Sequence, residues 1–255
     1  MISIVTVVRN DLSGIISTFN SIHKQNFRDF EWVVVDALST DGTIEYIKSI
    51  NTDIPITFRS EKDNGIYDGM NKGILLSKRK YIIFLNAGDY FVDSQVLKDI
   101  SQILIYSNYD IVYGSVIMNF GLKKYIRKPK NNIKSIYNTL PGHHQATFYN
   151  TNILKNINYN LKYEFSGDYY ISAAIFSNGY NNWYFTDRII SEFEVGHHSY
   201  LNAFKIWRYT NDIQLRILKS NYIKVIISSI KRLLSTFGII VYMNLNKLLI
   251  KIKTK

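Results

Sequence analysis

Several acidic residues stand where apolar runs end. Glu31–Val35 runs into Asp36, and Tyr81–Leu85 runs into Asn86-Ala87-Gly88-Asp89. A carboxylate after a buried strand can turn the chain, or it can hold a cation. Asp168 in "FSGDYY" opens a predicted helix. There it can cap the helix, worth about 1 kcal/mol, or accept a proton as a general base. "EKDNGIYDGMNKGI" places Asp63 ahead of a helix and Asp68, Asn71 and Lys72 on one face of it. That pattern fits a capped helix with an ion pair as well as ligand contact. Histidines come as adjacent pairs, His143-His144 and His197-His198. Neighbouring residues of a strand face opposite sides, so the first pair cannot easily share one metal. Asp41 in "STDGT" has the chemistry of a turn and helix start, and is read as structural.

The elements that must position these groups alternate. Strands are expected at Ile2–Val8, Glu31–Val35, Ile56–Arg59 and Tyr81–Leu85. Helices are expected at Leu12–Gln25, from Thr43 to about Ile50, and at Gly69–Ser77. Such alternation predicts an α/β fold with a mostly parallel sheet flanked by helices. Ligands of these sheets sit beyond the C-terminal strand ends, where Asp36 and Asp89 lie. Further on, strands are expected at Asp110–Met118, Gln145–Tyr149, Trp183–Phe185 and Ile189–Phe193, with a basic loop at Lys123–Lys134 and a helix at Asp168–Ser177. From about Leu201 the pattern turns helical.

Composition narrows the classes. Hydrophobic residues make up 46% of 255, enough for a sizeable core. There is no cysteine, so any metal must be held by oxygen or imidazole. The first residues read as a strand rather than a basic region followed by an apolar signal, so the chain is expected not to be secreted. The net charge is +11. From Asn221 to Lys255 there are seven basic residues and no acidic ones, set among apolar residues. No uncharged stretch of this tail reaches the ~20 residues of a membrane span. A basic apolar helix is expected instead to lie on an anionic surface; packing on the domain or against another subunit is the alternative. A nucleic-acid binder needs basic residues among stacking aromatics, which this distribution does not provide. No G-x-x-x-x-G-K-[ST] phosphate loop is present.

Read together and in order, "SIVTVVRND", "VVVDALSTDGT", "EKDNGIYDGMNKGI", "YIIFLNAGD", "GHHQATFY", "FSGDYYI" and "FEVGHHS" resemble the family 2 glycosyltransferases, especially the bacterial branch that builds surface polysaccharides. The resemblance covers residues 1–200. It implies a GT-A fold, with a nucleotide-sugar half at about 1–115, an acceptor half at about 116–200, and a helical, basic tail at 201–255. It implies inverting transfer of a hexose from a nucleotide donor, UDP favoured, to a lipid-linked saccharide in O-antigen, capsule or exopolysaccharide synthesis. Mn²⁺ or Mg²⁺ would be the cofactor, the cell membrane's inner face the location, and the tail the contact with its anionic surface.

The resemblance also assigns residues. Asp89 is the metal ligand, with His197 or His198 as a later one. Asp168 is the base. Asp36, Asp63, Asp68, Asn71, Asn86 and Gly88 fall on the donor side, and His144 and Gln145 on the acceptor side. Ala37, Gly88 and Gly167 stand where the family usually carries second acids. Those departures leave a non-catalytic nucleotide-sugar-binding scaffold as the alternative function, with nucleic-acid binding a more distant one.

Overall fold

The computed structural model describes residues 1–121, 123–195 and 202–234. Four parallel strands form one half of the sheet: β1 (Ile2–Val8), β2 (Phe30–Asp36), β3 (Ile56–Ser60) and β4 (Tyr81–Phe84). Their order is β3-β2-β1-β4. The connections are α1 (Leu12–His23), α2 (Thr43–Ser49) and α3 (Ile66–Leu76). β1 and β2 are buried along their whole length, as strands covered on both faces must be.

Alternation divides β1 between two cores. Ile2, Ile4 and Val8 enter the cluster that also holds Ile15, Ile22 and Ile47. Val5 and Val7 enter the cluster on the other face, with Tyr67, Met70 and Ile74 of α3. The helix comes unusually close to the sheet there. A Cβ on Gly69 would meet Val7 Cγ1 at 2.6 Å, and one on Gly73 would meet Val5 Cγ1 at 2.3 Å.

Beyond β4 the sheet is mixed. β5 (Tyr90–Phe91), α4 (Val96–Tyr106), β6 (Ile111–Asn119) and β7 (Lys124–Arg127) follow in the chain, then β8 (Thr147–Asn150), α5 (Thr151–Ile157), α6 (Gly167–Ser177) and β9 (Trp183–Glu194). β8 runs antiparallel to both β4 and β6, so it joins the two halves. β9 runs parallel to β6 through a register shift and pairs antiparallel with β5.

Differences from the expected elements have local causes. α3 begins at Ile66, ahead of Gly69, because its start lies at Gly65, whose φ of 109° suits glycine. The two strand pieces near residues 183 and 193 are one long β9, bent by the register shift. The basic segment expected as a loop contains β7, whose residues are all exposed and which pairs with β6. Gln145 begins no strand; it lies in a short helical turn, His144–Ala146, and β8 starts at Thr147.

The region after residue 201 is helical where described. α7 (Ala203–Arg216) packs on α6, and Ile213 and Leu218 share a small core with Tyr169 and Ala173. α8 covers residues 222–234. Its polar side faces inward. Ser228 donates to Gln214, Asn211 donates to Ser229, and Arg232 donates to the carbonyl of Asn138. Ile223, Ile226, Ile227, Ile230, Leu233 and Leu234 stay exposed.

Candidate functional site

The C-terminal ends of β1 to β4 gather the first group of acids. Asp36 ends β2 and is fully buried. Its Oδ2 accepts from the Ser39 N–H at 3.0 Å and the Ser60 hydroxyl at 2.6 Å. Its Oδ1 is buried with no partner. Buried polar atoms are paired in the great majority of cases, so this oxygen is available to a ligand. Asp63 accepts from the Gly65 N–H at 3.1 Å and shapes the turn into α3.

The other residues of that segment are occupied. Asp68 accepts from the Asn64 N–H and pairs with Lys72 at 3.5 Å. Lys72 also donates to the Lys62 carbonyl. Asn71 uses both ends of its amide on the Tyr159 backbone, at 2.9 and 2.8 Å. Asn71 thus ties α3 to the segment after α5, and its amide is committed there. Asp41 accepts from the N–H and hydroxyl of Thr43 and from the Leu12 N–H, as its structural reading requires.

The turn after β4 builds the second group. Gly88 has φ 89°, a backbone that favours glycine. The Asp89 N–H donates to the Asn86 carbonyl at 2.9 Å, closing the turn. The Thr18 hydroxyl donates to the carbonyl of Asp89 at 2.7 Å and accepts from the Gly88 N–H at 3.1 Å. The turn is thereby fixed to α1. Asp89 itself is buried. Burial pushes its carboxyl up to about 7, against the pull of His144 and a hydrogen bond from Gln145.

Asp89 therefore belongs with residues far along the chain. The short turn His144–Ala146 is held by the Thr147 hydroxyl, which donates to the His143 carbonyl, and by the Ser191 hydroxyl of β9, which donates to the Gln145 carbonyl. His144 Nδ1 lies 2.9 Å from Asp168 Oδ2. Burial disfavours the charged ring, but Asp168 and then Asp89 outweigh it, so the His144 pKa is raised. His143 goes the other way, well below the usual range, through burial and the nearby positive charges of Arg127 and His144. Asp168 lies in the first turn of α6.

The fold thus brings Asp89, His144, Gln145 and Asp168 together, and sets Asp36 at the end of β2 and Asp63 in the turn between β3 and α3. His197 and His198 lie outside the described residues. Tyr67 is a site residue that sequence reading passed over, since an aromatic residue on a helix face normally signals core. Its hydroxyl lies 3.4 Å from Asp168 Oδ2 and its ring stacks on Tyr159 at 5.0 Å between centroids. A Cβ on Gly167 would meet that ring at 2.6 Å. The Tyr67 ring occupies the space that a side chain at position 167 would need.

Among the described residues, no three acidic or imidazole groups are arranged to hold a metal. The chemistry nevertheless fits a hard cation shared with a phosphate ligand. Asp89 offers a buried carboxylate, and Asn86 Oδ1 and Gln145 Oε1 are buried and unpartnered. One or two carboxylates plus substrate phosphates is a usual environment of Mg²⁺.

Known proteins resemble the chain in sequence and in fold. The profile of "Glycosyl transferase family 2" matches residues 3–178. The chain is 30% identical over 191 residues to a PGL/p-HBAD biosynthesis glycosyltransferase of Mycobacterium tuberculosis, covering 70% of each chain. It is 28% identical over 123 residues to the Escherichia coli UDP-Glc:alpha-D-GlcNAc-diphosphoundecaprenol beta-1,3-glucosyltransferase WfaP, covering 46% of this chain and 49% of WfaP. Among solved structures, S. aureus TarS 1-349 in complex with UDP superposes with TM-score 0.68 at 19% identity, over 85% of this chain and 66% of that one. The mannosyltransferase PcManGT of Pyrobaculum calidifontis, in complex with GDP-Man and Mn²⁺, superposes with TM-score 0.67 at 14% identity, over 86% of this chain and 64% of that one. The chain therefore belongs to glycosyl transferase family 2 and is a glycosyltransferase of the GT-A fold.

Proposed function

We propose that the protein transfers a hexose, with inversion, from a UDP-sugar to a lipid-linked saccharide during synthesis of a bacterial surface polysaccharide such as O-antigen, capsule or exopolysaccharide. The observation that carries this reading is the meeting of Asp89 and Asp168 across His144. One carboxylate sits where a donor diphosphate would be held, and the other where an acceptor hydroxyl would lose its proton. The acceptor oxygen bonds to the anomeric carbon, its proton passes to Asp168, and the bond to the diphosphate breaks with its electron pair leaving on the diphosphate. Asp36 Oδ1 suits the N3–H of a uracil ring, and Asp63 and the Asn86–Asp89 turn border the rest of the donor. Asp68 shapes the loop before α3 through its Oδ2. Asp89 would hold Mn²⁺ or Mg²⁺ together with the diphosphate, and the cation would neutralise the charge that develops on the leaving group.

The donor class is supported by WfaP, whose name specifies UDP-glucose and a diphosphoundecaprenol acceptor, and by the UDP complex of the TarS fold. The exposed stripe of α8 supports a second part of the reading, that the enzyme works at the inner face of the cell membrane. Isoleucines and leucines face outward while serines and Arg232 face the domain. Lys224 and Lys231 flank the stripe. No described helix is long and apolar enough to cross a membrane. An apolar face between lysines suits the surface of an anionic bilayer, which is where a lipid-linked acceptor resides.

The test is UDP release from UDP-glucose, UDP-galactose and UDP-N-acetylglucosamine with Mn²⁺ and a synthetic undecaprenyl-diphosphate N-acetylglucosamine. The reading expects acceptor-dependent release from one of these donors and a glycosylated lipid of inverted configuration. Retention of configuration, or binding of GDP in preference to UDP, would overturn it.

A further inference from the structure

A general base needs one free lone pair and a fixed orientation. The two oxygens of Asp168 are unequal in just this way. Oδ2 receives the His144 Nδ1–H at 2.9 Å and, more loosely, the Tyr67 hydroxyl at 3.4 Å. Oδ1 is buried and has no partner.

The groups on Oδ2 are themselves held. The His144 backbone lies in the turn secured by Thr147 and Ser191. The Tyr67 ring is fixed by its stack on Tyr159 and by the backbone of Gly167, which leaves no room for a side chain there. Ser172, one turn on, donates to the Asp168 carbonyl and accepts from the Tyr113 hydroxyl, which anchors the first turn of α6.

We infer that His144 is a positioning residue, which clamps Asp168 Oδ2 with Tyr67 so that Oδ1 is the atom that takes the acceptor proton. The inference rests on Asp168 being the base. The hydroxyl proton goes to Oδ1, the freed electron pair forms the bond to the anomeric carbon, and the diphosphate leaves with the pair of the broken bond. His144 neither gains nor loses a proton in this step. Its role is to fix the plane of the Asp168 carboxylate, so that the oxygen it does not hold keeps one orientation.

The test uses the full chain with Mn²⁺, the donors and lipid acceptor named above, and four variants: His144→Ala, His144→Asn, Tyr67→Phe and Asp168→Asn. Asn at 144 keeps an N–H for Oδ2. His144→Ala is expected to lower kcat about 100-fold with little change in KM, as a misplaced catalytic group does. His144→Asn should recover part of that loss, Tyr67→Phe should lose less than His144→Ala, and UDP affinity should be unchanged in Tyr67→Phe. A second readout needs no turnover. Nitrogen NMR of labelled histidine should show His144 protonated at Nδ1 and hydrogen-bonded, with the signal displaced in Asp168→Asn. It also decides the matter if His144→Ala does not fold. Full kcat in His144→Ala with an inactive Asp168→Asn would overturn the clamp and leave the base in place. An undisplaced Nδ1 signal would also overturn the clamp. An active Asp168→Asn would overturn the base assignment itself.

Discussion

Asp89, through its burial, gives the site a pH signature. Its carboxyl has a value of 3.8 in an open chain and about 7 in the fold, because burial disfavours the charge. Between those values the folded protein holds a proton that the unfolded chain has released. Stability from this group is therefore present below about pH 4 and is lost as pH rises through about 7. The metal-free protein should melt at lower temperature at about pH 8 than at about pH 6, and Asp89→Asn should reduce that difference. A cation needs the carboxylate form, so Mn²⁺-dependent UDP binding should strengthen over the same interval, as calorimetry at the two pH values would show. Asp36 gives a different signature. Its removal strands the Ser39 N–H and the Ser60 hydroxyl and takes away the oxygen proposed for uracil. Asp36→Ala should cost about 1–3 kcal/mol of stability and weaken UDP binding at least tenfold. The places of Asp36, Asp89 and Asp168 in the candidate site are legible in the sequence, because each follows a strand or opens a helix. Asn71 was not distinguishable from a ligand, since a polar residue on a helix face looks the same whether it meets a substrate or the Tyr159 backbone. Tyr67 was hidden for the opposite reason, because the partner that gives it a role is a hundred residues away.

Close approach at α3 links the sheet to the site. Gly69 and Gly73 let the helix rest on Val7 and Val5. A methyl at either position must push the helix from β1, at about 1–3 kcal/mol. Gly73→Ala should lower the melting temperature and also weaken activity, because α3 carries Tyr67; denaturant unfolding and UDP release check the two effects. The parallel half was readable because its strands are continuous apolar runs that alternate with helices. The second half was harder. β7 has no buried face, so hydropathy gives no period for it. β9 bends midway through its register shift, which breaks the pattern into two short pieces. α4 and α5 fill the two faces of the sheet with Val96, Leu97, Ile100, Ile153 and Leu154, yet their short apolar groups lie between stronger strand signals.

The whole molecule joins the parallel half of the sheet, its mixed half and helices that follow. β8 stitches the halves by pairing with β4 and β6, which brings the turn at His144 beside the turn at Asp89. α7 then packs on α6 and carries α8 with it. The basic, apolar character of the end of the chain was plain in the sequence. Which face of α8 would be covered was not, because only contacts with Asn211, Gln214 and Asn138 decide that the polar side is inward. Ile226→Glu with Ile230→Glu should abolish co-sedimentation with phosphatidylglycerol vesicles while UDP affinity stays unchanged. Binding that persists in the double variant would move the surface contact elsewhere.

The central claim is a nucleotide site completed by a cation at Asp89. Calorimetric titration with UDP, with and without Mn²⁺, on the wild type and Asp89→Ala tests it most directly. Tight binding is expected for the wild type only with Mn²⁺, with that dependence lost in Asp89→Ala. UDP binding of equal strength with and without Mn²⁺ in both proteins would contradict it.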